Sequence, residues 1–203
     1  MSQLTELVLA SGNAGKLKEL GALLAPLGIK VHAQSEFAVP EVEETGLTFV
    51  ENALLKAREA SRISGLPALA DDSGLDVDAL DGRPGIYSAR FAGEPKDDGR
   101  NNDKLLEAMA EVPEGSRGAS YWCVLVLLEH PEDPVPLIVQ ADWRGEILAH
   151  PRGEGGFGYD PLFWLPDQGA SAAELGAAEK NRLSHRGRAL SALLLELERR
   201  SSS

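Results

Sequence analysis

Short apolar runs and a helical repeat alternate along the first part of the chain. Residues 7–10 are wholly apolar and predict a short buried strand, and residues 29–33 predict a second strand. Between them, leucines at positions 17, 20, 24 and 27 recur at helical spacing. The small residues 11–16 separate the first strand from this helix, so the first predicted unit is strand, loop and helix.

A helix start is recognisable around residue 48. Thr48 suits the N-cap position, and Glu51, three residues later, completes a capping box. We expect this helix to run to about residue 63. Asn52 and Lys56 are four residues apart, so they are predicted to lie on one face of it.

The middle of the chain combines strands, a loop and a helix. Residues 68–70 predict a short apolar strand that leads directly into the polar residues 71–74. A loop rich in turn residues follows at 81–90, and a helix is predicted at 101–110. Residues 121–128 are almost all apolar, which is typical of a strand covered on both faces.

The last third of the chain predicts another strand at residues 137–143, with residues 146–148 interpreted as its hairpin partner. Residues 153–158 contain four glycines and predict a loop. A final helix is expected from near Ser184, with a stripe of leucines along one side. This mixture of strands and helices predicts an α/β protein with a mixed β-sheet and flanking helices.

Length and composition indicate a globular protein of one domain, or of one domain with two lobes. The chain has 203 residues, 43% of them apolar, which is enough for a full core. The single cysteine, Cys123, excludes an intramolecular disulfide and a thiolate metal cluster. Its place in an apolar strand predicts a buried thiol.

The net charge of −12 changes the range of expected ligands. It argues against sequence-independent binding to nucleic acid, which needs a broad basic surface. A phosphorylated small molecule stays possible, because a few local cations and backbone amides can hold a triphosphate. The polar residues 1–6 lack the features of a signal peptide, and the longest apolar run, around 124–128, is far too short to span a bilayer. We therefore expect a cytoplasmic protein that does not bind membranes.

Residues 11–16 resemble a loop that binds phosphate. Small residues let backbone N–H groups approach an anion, the following helix N-terminus adds a favourable dipole, and Lys16 would supply the countercharge. The loop is not a Walker A motif, because only two residues separate Gly12 from Gly15 and Leu17 replaces the Ser or Thr. The alternative is an ordinary turn between strand and helix.

Two acidic pairs are candidate metal ligands and acid/base groups: Glu43 with Glu44, and Asp71 with Asp72. Magnesium prefers hard oxygen ligands, usually one or two carboxylates together with phosphate oxygens of a substrate. An aspartate at the end of a buried strand is well placed for that role or for taking a proton from water. The alternative is that these are solvated loop residues and that Asp72 only shapes a turn.

The glycine-rich loop is followed by aromatic residues. Glycines permit unusual backbone angles or a close approach to a ligand, and Phe157 in such a loop can stack on a nucleobase. The alternative is that Phe157 and Tyr159 are hydrophobic plugs beneath the loop.

Basic residues gather just before and inside the last helix: Lys180, His185, Arg186 and Arg188. The helix dipole disfavours cations near a helix start, so their position points to an anionic or carbonyl-bearing ligand. The alternative is that they only make the surface soluble.

Six short motifs occur in a fixed order between residue 7 and about residue 197. They are Ser11-Gly12-Asn13 with Lys16 and Glu19, Glu44-Thr45-Gly46 with Thr48-Phe49, Glu51-Asn52-Ala53 and Lys56-Ala57, Ala70-Asp71-Asp72-Ser73-Gly74-Leu75, Pro84-Gly85-Ile86-Tyr87-Ser88-Ala89-Arg90, Gly156-Phe157-Gly158-Tyr159-Asp160-Pro161, and Lys180 with Ser184-His185-Arg186-Gly187. Together they resemble the inosine triphosphate pyrophosphatase family, whose members remove non-standard purine nucleotides. Each motif is modest alone, but the set is specific.

The resemblance implies an elongated α/β fold with two lobes around a long central cleft, and a homodimer. It implies hydrolysis of inosine or xanthosine triphosphates, or their deoxy forms, to the monophosphate and pyrophosphate with Mg²⁺. Asp72 would be the general base and would bind magnesium together with Glu43 or Glu44. The sequence leaves open which glutamate is the ligand.

The other implied site residues would bind the substrate through its phosphates, base and sugar. The triphosphate would be held by Ser11, Gly12, Asn13, Ala14, Gly15, Lys16 and Lys56, a further contact would come from Ser73, and the base and sugar would be held by Phe157, Gly158, Tyr159, Asp160, Lys180, His185 and Arg186.

The implied reaction fits elementary chemistry. Attack by water on the α-phosphorus requires a group that takes its proton and cations that neutralise the developing charge. Donors from His185 and Arg186 would satisfy the 6-carbonyl of inosine or xanthosine but would oppose the 6-amino group of adenine. Two other hypotheses are a nucleotide-binding module without activity and a pyrophosphatase for modified pyrimidine triphosphates.

Overall fold

In the part of the chain that the structure describes, seven strands form one mixed sheet in the order β2-β1-β3-β4-β5-β6-β7. The computed structural model describes residues 4–12 and 14–201. The strands are β1 (Glu6–Ala10), β2 (Lys30–Ala33), β3 (Ala68–Val77), β4 (Gly118–Leu128), β5 (Leu137–Ile147), β6 (Phe163–Leu165) and β7 (Ala170–Ser171). β1 pairs in parallel with β2 and β3, whereas β6 pairs antiparallel with β5 and β7.

Among the described residues, five α-helices flank the sheet, so the predicted α/β class is confirmed. They are α1 (Ala14–Leu24), α2 (Phe49–Ser64), α3 (Asp98–Ala108), α4 (Ala177–Leu183) and α5 (His185–Ser201). The parallel pairs need crossover connections, which α1 and α2 provide between β1, β2 and β3. Within the described ranges, no helix is long and apolar enough to cross a membrane.

The chain divides into two compact units. One comprises the described residues up to 72, together with Cys123–Ala141 and the residues from 188 onward; the other comprises Ser73–Trp122 and Asp142–Gly187. We call them unit 1 and unit 2. Unit 2 has an aromatic core that includes Tyr121, Trp143 and Phe163.

In unit 1, successive residues of β3 and β4 face opposite sides of the sheet. Leu69 and Cys123 pack in a cluster with leucines of α1 and α5. Ala68, Ala70 and Val124 pack in a different cluster with alanines of α2. This alternation is the ordinary period of a strand, and it determines where the next residues of β3 point.

Several predicted elements are confirmed closely. Thr48 caps α2, with its side chain accepting a hydrogen bond from the N–H of Glu51, and Gly65 ends the helix at a φ of 70°. Cys123 is fully buried, as its apolar strand predicted.

The predicted end of the third strand is wrong. β3 continues through residues 71–74 to Val77, so Asp71 and Asp72 lie within a strand and do not form a turn. The strand continues because its next apolar residues, Leu75 and Val77, are fully buried in the core of unit 2. The two aspartates can be buried there because each pairs with a lysine.

The predicted hairpin partner at residues 146–148 is also wrong. Glu146 and Ile147 belong to β5 itself and pair with Trp164 and Phe163 of β6. β6, β7 and α4 could not be predicted from the sequence, because strands of two or three residues and a helix of seven residues carry too little periodicity to recognise.

Candidate active site

Close packing of α2 places Lys56 next to the acidic part of β3. Ala53, Ala57 and Ala60 are fully buried, and such small side chains let the helix backbone lie near the sheet. Lys56 Nζ therefore donates to Asp72 Oδ1 at 2.6 Å and to the carbonyl oxygen of Asp71 at 3.0 Å. The lysine side chain is only 17% exposed, so these bonds are largely shielded from water.

The two adjacent aspartates have different partners. Asp72 faces the α2 side of the sheet, whereas Asp71 faces the opposite side, as strand alternation requires. The Asp71 carboxylate forms an ion pair with Lys16 of α1, and its second oxygen accepts from the Cys123 thiol at 3.4 Å. Each aspartate therefore has its own lysine.

Glu44 joins this group from the segment before α2. Its Oε1 lies 3.1 Å from Lys56 Nζ. The segment is fixed where the N–H of Gly46 donates to Asn52 Oδ1 at 2.8 Å. A Cβ at Gly46 would lie 2.5 Å from the Cβ of Glu51, so only glycine fits this contact. Lys16, Glu44, Lys56, Asp71 and Asp72 are called the carboxylate–lysine cluster below.

The environment of the cluster raises the pKa of one carboxyl group, that of Asp72. Burial raises the pKa of Asp72, and the charge of Glu44 adds to this, although Lys56 and Lys16 pull the pKa down. Burial lowers the pKa of Lys56, but Asp72, Glu44 and Asp71 outweigh it, so the net shift of that pKa is upward. Three carboxylates face two lysines, which leaves the cluster with excess negative charge.

The donor set of the cluster fits a magnesium ion. Glu44 and Asp72 both contact Lys56 Nζ, and their carboxylates are the hard oxygen donors that Mg²⁺ prefers. Among residues 4–12 and 14–201, no group of three His, Cys, Asp or Glu side chains is arranged to hold a metal ion. Magnesium commonly takes only one or two carboxylates and completes its shell with water and phosphate oxygens. Glu43 is exposed, and none of the contacts among the described residues places it in the cluster.

The predicted phosphate loop lies between β1 and α1. Ser11 follows the strand, and Ala14, Gly15 and Lys16 form the first turn of the helix. A helix start with small residues is a favourable place for an anion. Gly12 is exposed, whereas Asn13 lies outside the described residues.

In unit 2, an exposed aromatic ring lies between two cations. The Phe157 side chain is 44% exposed, unusually open for a residue of its size. Lys180 Nζ lies 4.7 Å from its ring centroid, and the Arg186 guanidinium carbon lies 5.7 Å from it. An exposed ring with cations beside it can stack on a planar, electron-rich group such as a base.

Asp160 holds the loop that carries this ring. It is 3% exposed, its carboxylate pairs with Lys180, and Oδ2 accepts from the N–H of Phe157 at 2.8 Å. Gly156 adopts a φ of 76°, and a Cβ there would lie 2.1 Å from Asp160 Oδ2. The N–H of Gly158 donates to Asp98 Oδ2 at 2.6 Å.

Tyr159 is a buried member of the same loop. It is 3% exposed, and its hydroxyl donates to the carbonyl oxygen of Ser88 at 2.7 Å. Burial raises its pKa, so the hydroxyl stays protonated at neutral pH. In the structure, therefore, Tyr159 anchors the loop to the core of unit 2.

His185 and Arg186 begin α5 and are largely buried, at 6% and 5% exposure. Arg186 Nη2 lies 3.3 Å from the hydroxyl of Ser73, and the imidazole of His185 stacks on Tyr121. Gly187 is required next to them, because a Cβ there would lie 1.7 Å from the carbonyl oxygen of Asn181. Phe157, Asp160, Lys180, His185 and Arg186 are called the aromatic–basic cluster below.

The structure thus brings most of the predicted site residues into two groups. Lys16, Glu44, Lys56 and Asp72 gather in unit 1. The residues predicted to hold the base and sugar gather in unit 2. Tyr121 was predicted only as part of an apolar strand and not as a site residue. The feature that could have singled it out is its aromatic ring at the start of that strand.

Comparison with known sequences identifies the relatives of the chain. Residues 7–196 match the Ham1 family. A protein named dITP/XTP pyrophosphatase from Xanthomonas axonopodis pv. citri (strain 306) is 63% identical over 188 residues, which cover 93% of this chain and 94% of that relative. A protein of the same name from Vibrio cholerae serotype O1 is 54% identical over 193 residues, covering 95% and 96%.

Comparison with solved structures identifies relatives of the same family. A HAM1 protein from Coxiella burnetii superposes with a TM-score of 0.91 at 51% identity, covering 96% of this chain and 98% of that one. A nucleoside-triphosphatase / dITP/XTP pyrophosphatase from Mycobacterium abscessus has a TM-score of 0.77 at 43% identity, covering 93% and 98%. The resemblance drawn from the six motifs is confirmed, and the chain belongs to the Ham1 family.

Proposed function

We propose that the chain hydrolyses non-canonical purine nucleoside triphosphates, those of inosine and xanthosine and their deoxy forms, to the monophosphate and pyrophosphate. The observation that carries the proposal is the buried carboxylate of Asp72, bonded to Lys56 beside Glu44. Relatives at 54–63% identity that are named dITP/XTP pyrophosphatases support the substrate class.

Asp72 would take the proton from the attacking water. A general base works best when its pKa lies towards the working pH, and burial raises the pKa of Asp72 in that direction. Its carboxylate now accepts from Lys56. When phosphates arrive, the lysine can share its three donors between Asp72 and the phosphate oxygens.

Lys16 and Lys56 would neutralise the phosphates. Both are largely buried ammonium groups held by aspartates, so their positions are fixed before the substrate binds. Preorganised cations stabilise the charge that develops on the leaving pyrophosphate without a cost of reorientation.

Magnesium would be held by Asp72 and Glu44. Bound there, it would supply neutralisation of phosphate charge and a lower pKa for water. Glu44 suits the role of metal ligand better than Glu43, because its carboxylate contacts Lys56 in the cluster whereas Glu43 is exposed. The Gly46–Asn52 hydrogen bond would fix the position of the Glu44 carboxylate, and strand β3 with Lys56 would fix that of Asp72.

The aromatic–basic cluster would select the base. Phe157 would stack on the purine, and the donors of His185 and Arg186 would bind its 6-carbonyl group. An adenine 6-amino group would face those donors unpaired, which costs affinity strongly in a buried site. On the family resemblance, we also propose that the protein is a homodimer and that it works in the cytoplasm.

The test is product analysis with Mg²⁺ and the triphosphates of inosine, xanthosine, adenosine and guanosine. We expect monophosphate and pyrophosphate, formed from the first two substrates much faster than from the others. Formation of diphosphate and orthophosphate would place the attack on a different phosphorus. Tight nucleotide binding without any product would favour a binding module instead.

A further inference from the structure

Tyr121 of β4 contacts His185 face to face. The centroids of the two rings are 4.8 Å apart and their planes are only 11° from parallel. Trp143 of β5 lies further from the imidazole, at 6.5 Å and 26°. The phenol ring is therefore the surface that fixes the plane of the histidine.

The same side chain packs in one buried core with Tyr159, the residue that anchors the loop carrying Phe157. Burial in that core raises the pKa of the Tyr121 phenol. Tyr121 is 8% exposed and its ring also packs on Phe163, with the ring centroids 4.6 Å apart, so it has little freedom to move. The residue that stacks on His185 is therefore itself fixed by the core of unit 2.

We propose that Tyr121 is a positioning residue for base selection, fixing the plane of the His185 ring. The inference rests on the proposed function. A hydrogen bond from an imidazole to a carbonyl group depends on the ring plane, and sites of this kind need side chains held within about 10–20°. The stack on Tyr121 sets that plane.

The experiment compares Tyr121→Leu and Tyr121→Phe with the unmodified protein. Its readout is the ratio of kcat/KM for inosine triphosphate to kcat/KM for adenosine triphosphate. Tyr121→Leu removes the stacking surface, so we expect the ratio to fall by about tenfold, mainly through a higher KM for inosine triphosphate. Tyr121→Phe keeps the stack and the core, so we expect the ratio to stay within about twofold of that of the unmodified protein.

Met109→Ala is the matched control. Met109 is fully buried in the same core of unit 2 but makes no ring contact with His185. We expect it to lower the thermal stability while leaving the substrate ratio unchanged. An equal loss of ratio in Met109→Ala would mean that any loosening of the core has this effect, and the assignment of Tyr121 would fall.

The outcomes separate this inference from the proposed function. If the unmodified protein forms pyrophosphate and prefers inosine triphosphate, but Tyr121→Leu keeps that preference, only the role of Tyr121 is overturned. A loss of ratio in Tyr121→Phe as large as that in Tyr121→Leu would also overturn it, because phenylalanine keeps the stacking ring. If the unmodified protein forms no pyrophosphate at all, the proposed function fails and the inference fails with it.

Discussion

Two adjacent carboxylates, Asp71 and Asp72, have separate partners because they occupy successive positions in a strand. Asp72 faces Lys56 and Glu44, where the proposed function places a proton acceptor and a metal ligand. Asp71 faces Lys16 and the Cys123 thiol, and its carboxylate holds that lysine in place. The pair therefore does not act as a carboxylate dyad, and the roles of its members can be tested independently.

We expect Asp72→Asn to lower kcat by about 10²–10⁴-fold, the usual contribution of a positioned general base. Substrate binding should stay close to that of the unmodified protein, because the amide keeps the size of the side chain. Steady-state kinetics and calorimetric titration with inosine triphosphate measure the two effects.

Asp71→Asn is the matched control, since it changes the neighbouring carboxylate on the other face of the sheet. It should act mainly on KM, through the loosened Lys16. Near-normal kcat in Asp72→Asn, or an equal loss of kcat in both variants, would contradict the general-base role.

The pH dependence of kcat/KM tests the environment of Asp72. Lys56 is the main group that lowers the pKa of this carboxyl, so Lys56→Met should raise that pKa further. Because the base acts only when deprotonated, activity should then be lost at a higher pH as the solution is acidified. A smaller shift is expected for Lys16→Met, whose charge has less influence on Asp72 than the charge of Lys56. An acidic limb that stays in place or moves to lower pH in Lys56→Met would refute the assignment of that limb to Asp72.

At the scale of elements, the contact between α2 and the segment before it decides where Glu44 lies. The capping box at Thr48 could be predicted from sequence, because it depends on residues three apart. The close approach of Gly46 to Glu51 and Asn52 could not, because no spacing rule gives the path of an irregular segment.

We expect Gly46→Ala to displace Glu44 and to raise the Mg²⁺ concentration needed for half-maximal activity. The new Cβ would lie 2.5 Å from the Cβ of Glu51 and 2.7 Å from Asn52 Oδ1, so the segment must move. Displacements of about 1 Å at a site cost up to about a hundredfold in rate.

Gly21→Ala in α1 is the control, because a Cβ there meets nothing within 4 Å. It should leave the magnesium requirement unchanged and stabilise the helix slightly. A normal magnesium requirement in Gly46→Ala would show that the position of Glu44 is unimportant for metal binding.

The full length of β3 could not be predicted from the sequence. Residues 68–70 predicted a strand, but the polar residues 71–74 were expected to end it, because buried carboxylates are rare without partners. Their partners, Lys16 and Lys56, come from 55 and 16 residues earlier in the chain. Once the full strand is known, alternation alone assigns Asp71 and Asp72 to opposite faces.

For the whole molecule, composition and motif order predicted the fold class and the members of both clusters. They did not predict how those members pair. The stack of Tyr121 on His185 joins residues of β4 and α5 that share no motif, and only the folded core of unit 2 brings them into contact. Each of the two compact units contains one cluster. The proposed function assigns phosphate chemistry to the cluster of unit 1 and base recognition to that of unit 2.

Attack on the α-phosphorus is tested most directly by hydrolysis of inosine triphosphate with Mg²⁺ in water enriched in ¹⁸O, followed by mass spectrometry of both products. We expect one ¹⁸O atom in the monophosphate and none in the pyrophosphate, because the water activated by Asp72 would attack the α-phosphorus. Label in the pyrophosphate, or release of labelled orthophosphate with a nucleoside diphosphate, would contradict it.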